Sequence, residues 1–332
     1  MKNIKTSFGK LFEQLENESI LSSAEKAGIN FQYSCRTGRC STCKCKVISG
    51  KTDTYSGELG LSEEEKLNGY ILSCVRYALE DIEIEIDDLG DIEIPKPKTI
   101  PCKINSIHNV SEDVIQLTLR IPPNTNFNFI PGQYVDMISP DGVKRSYSIA
   151  NNFQENLIEL HIKKVINGDF SKYWFDRAQE DDLLRLNGPH GTFFLREKND
   201  KGIIFLATGT GIAPVKSIIE SLEKSSNFSS RQILLLWGGR KSSDLYLNSF
   251  HENTSIEYIP VLSRPSSDWL GKSGYIQNVL LEEKYDISKY IVYACGSDKM
   301  IASAKELLIN NGLDEHDFFS DAFLPSSDII LK

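Results

Sequence analysis

The spacing of apolar and polar residues differs from one part of the chain to the next. Near position 85, "DIEIEID" (81–87) alternates strictly, which predicts a half-buried β-strand. Directly after it, "IPKPKTIPC" (94–102) carries three prolines in seven positions. Proline-rich stretches are extended and semi-rigid, so this segment predicts a boundary between domains.

The stretch after the prolines contains short alternating runs separated by turn residues, a pattern typical of an antiparallel barrel or sandwich. These runs are "VIQLTLRI", "GQYVDMIS", "KRSYSIA", "NLIELHIKKV" and "LLRLNGPHGTFFL".

From residue 202 buried strands such as "GIIFLATG", "RQILLLWGG" and "YIVYACG" alternate with helical patterns such as "APVKSIIESLEKS", "DLYLNSFHEN" and "KMIASAKELLINNG". Such alternation predicts a doubly wound parallel sheet, which binds ligands at the carboxyl ends of its strands. A chain of 332 residues is long enough for two or three domains. We predict three, over residues 1–94, 98–198 and 201–332.

Composition and charge narrow the class of protein. The chain is 40% hydrophobic and 25% charged, as in ordinary globular proteins. We expect no secretory signal and no membrane span, because the first twenty residues lack an apolar core and runs such as "IIFLA" and "ILLLW" are short. The expected location is therefore the cytoplasm. Residues 1–94 carry 17 acidic against 11 basic side chains, which argues against nucleic acid as a partner, although they can equally be solubilising surface charge.

The cysteines carry the first candidate chemistry. Seven of them, an odd number in an expected cytoplasmic protein, argue against a disulfide framework. Cys35, Cys40, Cys43 and Cys74 have the C-x4-C-x2-C…C spacing of plant-type two-iron ferredoxins. A zinc site usually pairs two short knuckles, whereas here one knuckle faces a lone cysteine. Zinc and inert buried thiols remain the alternatives, and Cys45 is expected to begin a strand and to face away.

Six further motifs, taken in order, resemble the ferredoxin–NADP reductase superfamily. "RSYS" (145–148), "GDFS" (168–171) and "GPHGTF" (188–193) are similar to its flavin signature. "TGTGIAP" (208–214), "WGGR" (237–240) and "CGSDKM" (295–300) are similar to its nucleotide signature. With a ferredoxin domain at the N-terminus, the order resembles reductase components of bacterial oxygenases and the CDP-6-deoxy-glucoseen reductase group. The resemblance implies a β-grasp ferredoxin domain, an antiparallel flavin-binding barrel and a doubly wound α/β nucleotide-binding domain.

The resemblance also implies roles for residues. Ser148 would bond the flavin N5, Cys295 would lie against the nicotinamide C4, and Phe323 would cover the flavin; these three are the catalytic candidates. Without the resemblance, "RSYS" could be only an alternating strand and Cys295 only a buried apolar residue. The remaining cofactor contacts are Arg145, Tyr147, Gly168, Phe170 and Ser171 for the flavin, and Thr208, Gly209, Thr210, Gly211, Pro214, Gly239, Arg240 and Gly296 for the nucleotide.

The implied function is that of a flavoenzyme taking hydride from NAD(P)H and passing single electrons through a 2Fe-2S cluster to a partner enzyme. The favoured partner is a deoxysugar dehydrase; a mono- or dioxygenase is the alternative, and a non-catalytic redox sensor is a third hypothesis. FAD is expected, although some relatives use FMN. Among nicotinamides, Asp244 and Asp268 favour NADH, whereas Ser263, Arg264 and Lys272 leave NADPH possible.

Overall fold

The computed structural model describes residues 2–87, 89–90, 92–139, 142–152, 156–166, 168–196, 201–225, 231–252 and 255–323. These residues form two compact units, Met1–Ile94 and Pro95–Lys332. None of the helices in the described ranges is long and apolar enough to cross a membrane.

The first unit is built on a five-stranded sheet with the strand order β2-β1-β7-β3-β5. Only the central pair β1–β7 is parallel; the other neighbours are antiparallel. Ile82 and Ile84 of the alternating segment face the core, as their pattern predicts. The elements are β1 (Lys2–Thr6), β2 (Leu11–Gln14), α1 (Ile20–Lys26), β3 (Lys44–Ser49), β4 (Thr52–Thr54), α2 (Glu63–Leu67), β5 (Tyr70–Leu72), β6 (Arg76–Ala78) and β7 (Ile82–Glu85), with β4 and β6 forming a separate two-stranded sheet.

The second unit begins with a six-stranded antiparallel sheet of order β11-β10-β13-β8-β9-β12. A bridge between Ile149 and Leu160 joins its two edges, so the sheet closes into a barrel. Its elements are β8 (Lys98–Ser111), β9 (Val114–Arg120), β10 (Tyr134–Ile138), β11 (Lys144–Ser148), β12 (Leu157–Lys163), α3 (Asp169–Asp176) and β13 (Leu183–His190).

The rest of the second unit is a parallel six-stranded sheet of order β17-β16-β15-β14-β18-β19. Strands β14, β15 and β18 are almost wholly buried, which explains their continuous apolar runs. The elements are β14 (Gly202–Thr208), α4 (Ile212–Leu222), β15 (Ile233–Gly239), α5 (Ser249–Glu252), β16 (Glu257–Leu262), β17 (Lys272–Ser273), α6 (Ile276–Glu282), β18 (Tyr290–Ser297), α7 (Asp298–Ile309) and β19 (Phe318–Phe323).

Two local expectations were wrong. In the described part of "DLYLNSFHEN", residues 244–252, the only α-helix is α5, because Leu245, Tyr246 and Leu247 all pack against one core, which three consecutive residues of a helix cannot do. The "GDFS" motif predicts a helix that begins at Ser171; the helix, α3, begins two residues earlier, at Asp169, with Gly168 as its N-cap.

Candidate functional site

Residues 35–43 form a tight loop between α1 and β3. Its backbone takes left-handed angles at Arg36 (φ 56°), Gly38 (φ 73°) and Ser41 (φ 62°). Two non-glycine residues in this region within six positions are uncommon, and such conformations cluster at functional sites. A Cβ at Gly38 would lie 2.6 Å from the Gly57 carbonyl oxygen, so the loop requires glycine there.

The four predicted ligand cysteines contact one another in two pairs. The thiols of Cys35 and Cys40 hydrogen-bond, and so do those of Cys43 and Cys74. The bond from Cys40 lowers the pKa of Cys35 to about 5, and the bond from Cys43 lowers the pKa of Cys74. The partner thiols, those of Cys40 and Cys43, have raised pKa values, as expected when each pair shares one proton.

This paired arrangement fits a two-iron cluster, in which four cysteines serve two irons. In the described residues, no group of three or more His, Cys, Asp and Glu side chains is arranged to hold a single ion. Backbone amides point at the sulfurs: those of Thr37 and Arg39 at Cys35 (Thr37 N to Sγ, 3.4 Å), and that of Gly38 at Cys74. Donors around a sulfur stabilise its charged form and tune the potential of a bound cluster.

Cys45 lies in β3 as predicted, with its side chain in the core of the first unit. Burial raises its pKa to about 12, so it stays a neutral thiol.

Glu58 and Arg76 form a neighbouring ion pair that sequence reasoning missed. Only 4% of the Glu58 side chain is exposed, and its carboxylate accepts from Arg76 Nη2 (2.6 Å) and from the Leu72 amide (2.7 Å). No periodicity or motif marks either residue.

The proposed flavin residues lie along β11 and at the start of α3. The Tyr147 ring stacks on Phe170 at 6.2 Å, and its hydroxyl accepts from Trp174 Nε1 (3.1 Å). Burial raises the Tyr147 pKa, so the phenol stays protonated. Ser148 is buried beside it. Trp174 is a further member of this aromatic cluster that no motif indicated.

Anion-binding groups accompany these rings. Arg145 is half-buried and forms no ion pair with a carboxylate among the described residues. The N-terminus of α3 has no side-chain cap at Gly168, so its first amides are left for another acceptor. Ser171 Oγ accepts from the Val165 amide (2.9 Å), which leaves its hydroxyl proton to donate. These groups fit a flavin diphosphate.

The turn "TGTG" joins β14 to α4. Gly209 has φ 54°, and the space next to its Cα is open. Neither the turn nor α4 has a side-chain cap at its N-terminus, while Pro214 occupies the first helical turn, where an amide is not needed. Open space in front of uncapped amides fits the phosphates of a dinucleotide.

Two strand ends meet tightly beside this turn. A Cβ at Gly211 would lie 2.3 Å from the Cys295 carbonyl oxygen, and one at Gly296 would lie 2.1 Å from Thr208 Oγ1. Cys295 is fully buried in β18, and burial raises the pKa of its thiol. The structure thus brings the "TGTG" and "CG" motifs into contact.

Phe323 is the last described residue, pairs with Ser297 across β18–β19 and packs against the core that contains Cys295. Residues from 324 onward lie outside the described residues.

A cleft of about 520 Å³ opens beyond the ends of β15 and β16. The Asp244 carboxylate accepts from the amides of Arg240 (2.7 Å) and Lys241 (3.3 Å) next to Gly239. Carboxylates of the β8–β9 hairpin also reach the cleft: Glu112 pairs with Lys241 and Asp113 with Lys163, each at 3.0 Å. The lining residues are Glu112, Asp113, Lys163, Lys164, Arg240, Lys241, Asp244 and Arg264.

Comparisons with known families match three separate segments of the chain. Residues 6–79 match the 2Fe-2S iron-sulfur cluster binding domain, residues 101–195 the oxidoreductase FAD-binding domain, and residues 205–306 the oxidoreductase NAD-binding domain. The chain is 42% identical, over 96% of its length and 97% of the relative, to the CDP-6-deoxy-L-threo-D-glycero-4-hexulose-3-dehydrase reductase of Yersinia pseudotuberculosis. This chain belongs to that family of iron–sulfur flavoprotein reductases. It is an oxidoreductase with 2Fe-2S, FAD and NAD-binding domains, as its motifs predicted.

More distant relatives serve other enzymes. The xylene/toluene monooxygenase electron transfer component XylA of Pseudomonas putida is 32% identical over 95% of this chain and 91% of its own. Among solved structures, the cytochrome P450 reductase GcoB of Amycolatopsis superposes with a TM-score of 0.78 at 25% identity, covering 98% of this chain and 99% of its own. The predicted fold class is confirmed.

Proposed function

We propose that this protein takes electrons from NADH and delivers them, one at a time, to a separate deoxysugar dehydrase. The observation that carries the proposal is the 42% identity to a dehydrase reductase over 96% of the chain, spanning all three matched domains. When bound, the flavin accepts a hydride and releases electrons singly to the iron–sulfur cluster, which carries one.

The chain's own residues bind and orient these groups in the proposal. Cys35 and Cys40 hold one iron, and Cys43 and Cys74 the other, following the two thiol pairs. Arg145 and the α3 N-terminus hold the flavin diphosphate, while Tyr147 supports the ring. Ser148 donates its hydroxyl to the flavin N5.

The nucleotide site is proposed on the same grounds. The uncapped amides after Gly209 hold the dinucleotide phosphates, and Cys295 supports the nicotinamide opposite the flavin, with Phe323 as the aromatic cover. We propose domain limits of 1–94, 98–198 and 201–332, and a cytoplasmic location, because cluster thiols must stay reduced until they bind iron.

The direct test mixes the holoprotein and NADH with a CDP-6-deoxy-L-threo-D-glycero-4-hexulose-3-dehydrase and follows NADH oxidation that depends on the dehydrase and its substrate. A parallel reaction contains a terminal oxygenase component instead. Turnover only with the oxygenase would replace the proposed partner, an alternative that the oxygenase-reductase relatives support. Absence of NADH-dependent reduction of any acceptor would indicate a redox sensor instead.

We expect NADH to be preferred over NADPH. Two cations that could bind a 2′-phosphate are already paired: Lys272 with Glu283 and Lys241 with Glu112. The Asp244 carboxylate lies at the same cleft, and a carboxylate facing a phosphate is costly.

Steady-state kcat/KM with both nucleotides measures the preference. A preference of about tenfold or more for NADPH, equivalent to about 1.4 kcal/mol, would contradict the expectation. In that case Arg264→Ala should remove it, since Arg264 is the cleft cation placed after β16.

Cys295→Ala is expected to slow flavin reduction by NADH more than it weakens NADH binding. The thiol is neutral and buried near the carboxyl end of β18, where it supports a ring rather than a charge. Stopped-flow reduction at saturating NADH gives the limiting rate, and its concentration dependence gives the affinity. An unchanged limiting rate would reduce Cys295 to a packing residue.

A further inference from the structure

A network of polar side chains fastens helix α4 to the segment 149–152. Helix α4 directly follows the "TGTG" turn, and residues 149–152 directly follow Ser148. Side chains on one face of the helix form hydrogen bonds with the backbone of three consecutive residues of that segment. The bonds are Lys216 Nζ to the Ala150 oxygen (3.1 Å), Ser217 Oγ to the Asn151 oxygen (2.8 Å) and the Asn152 amide to Glu220 Oε2 (2.9 Å).

At the centre of this network, the Lys216 ammonium pairs with two carboxylates. Lys216 Nζ lies 3.2 Å from Glu159 Oε1 on β12 and 2.6 Å from Glu220 Oε1 on its own helix. The side chains of Lys216 and Glu159 are only 15% and 16% exposed. Removing one partner from such a pair leaves a poorly solvated charge, so each member holds the others in place.

A second branch runs through His161, whose side chain is fully buried on β12. Burial lowers the pKa of His161, so its imidazole is neutral. Burial would raise the pKa of Glu159, but the His161 bond and the Lys216 charge lower it to about 2. The carboxylate can only accept, so His161 Nε2 donates to Glu159 (2.8 Å) and Nδ1 accepts from the Tyr246 hydroxyl (3.0 Å).

This branch ends at the nucleotide turn. The Tyr246 ring packs edge-on against Trp237 at 5.2 Å, and Trp237 Nε1 donates to the Gly209 carbonyl (3.0 Å). The barrel is therefore linked to the turn by two routes: through His161, Tyr246 and Trp237 to Gly209, and through α4, which directly follows the turn.

We propose that this network, centred on Lys216, Glu159 and His161, is a positioning device that sets the nicotinamide at its transfer distance from the flavin. The inference rests on the proposed function. Ser148 and the "TGTG" turn belong to different sheets, and the network is bonded to residues adjoining both. Hydride transfer is sensitive to such placement, because a displacement of about 1 Å can cost about 100-fold in rate.

The test uses the full-length holoprotein with Lys216→Met, which keeps most of the length of the side chain and removes its charge. Tyr246→Phe removes one hydroxyl and keeps the ring, so it tests the second branch if Lys216→Met does not fold. Lys216→Arg is the conservative variant. The matched control is Lys224→Met, an exposed lysine just beyond the end of α4.

Three quantities are measured: the limiting rate of flavin reduction by NADH, the NADH dissociation constant, and amide hydrogen exchange without NADH in peptides covering 149–152 and 209–216. We expect Lys216→Met to lower the limiting rate by about 100-fold and Tyr246→Phe by about tenfold. Both should leave the dissociation constant within about threefold and speed exchange in the two peptides. Lys216→Arg should recover much of the rate, and Lys224→Met should match the parent protein.

Unchanged limiting rates in both variants, or rates unchanged at saturating NADH with weakened binding only, would overturn the positioning role. Failure of the parent protein to be reduced by NADH would instead overturn the proposed function. The exchange measurement distinguishes the two failures, because it reports the network without NADH.

Discussion

Cys74→Ser is expected to abolish electron delivery to protein acceptors while leaving NADH oxidation by ferricyanide intact. Cys74 closes the second thiol pair with Cys43, and its hydrogen-bonded thiol already has a lowered pKa. A serine hydroxyl stays protonated at neutral pH and is a poor substitute for a thiolate. Iron and sulfide content and the visible spectrum should show the loss, whereas flavin content should be unchanged.

Cys45→Ala is the matched control for this prediction. Cys45 is two residues from Cys43, yet its side chain is buried in the core and its raised pKa keeps it protonated. The variant should retain the full cluster spectrum and lose only packing. Loss of iron from a folded Cys45→Ala protein, or full iron content in Cys74→Ser, would contradict the ligand set.

Gly211→Ala is expected to disable the nucleotide site. Its Cβ would lie 2.3 Å from the Cys295 carbonyl oxygen. Because the Cβ is attached directly to one backbone segment and the oxygen to another, either the turn or the end of β18 must move. Overpacking of this kind costs about 1–3 kcal/mol. If the displaced groups are those that hold NADH, flavin reduction should slow by about 10- to 100-fold.

Gly209→Ala is the comparison for that variant, because nothing lies within 4 Å of the position of its Cβ. Its φ of 54° imposes only the left-handed strain of an alanine, about 1–2 kcal/mol. Both variants should retain flavin, and Gly211→Ala should show the larger loss of reduction rate by stopped flow. Equal losses would mean that strain at the turn, rather than the contact with Cys295, governs the site.

The periodicity of the sequence was sufficient to predict the fold class, because each kind of sheet has its own spacing of apolar residues. Alternation marked β7 and the barrel strands, which have one solvated face, and continuous apolar runs marked β14, β15 and β18, which have none. Periodicity was not sufficient over residues 244–252. There the pattern predicts a long helix, but three consecutive apolar residues pack against one core and the helix is short.

The sequence by itself determined the chemistry, because a ligand spacing and a glycine turn are local properties of the chain. The C-x4-C-x2-C spacing, the "RSYS" strand and the "TGTG" turn could each be recognised within a few residues. Only the tertiary structure decided which thiols pair, why Gly211 must lack a side chain, and how Lys216 joins α4 to the segment after Ser148. Apart from the Cys35–Cys40 pair, these depend on residues about 30 to 85 positions apart meeting at fixed distances, and no local pattern encodes such distances.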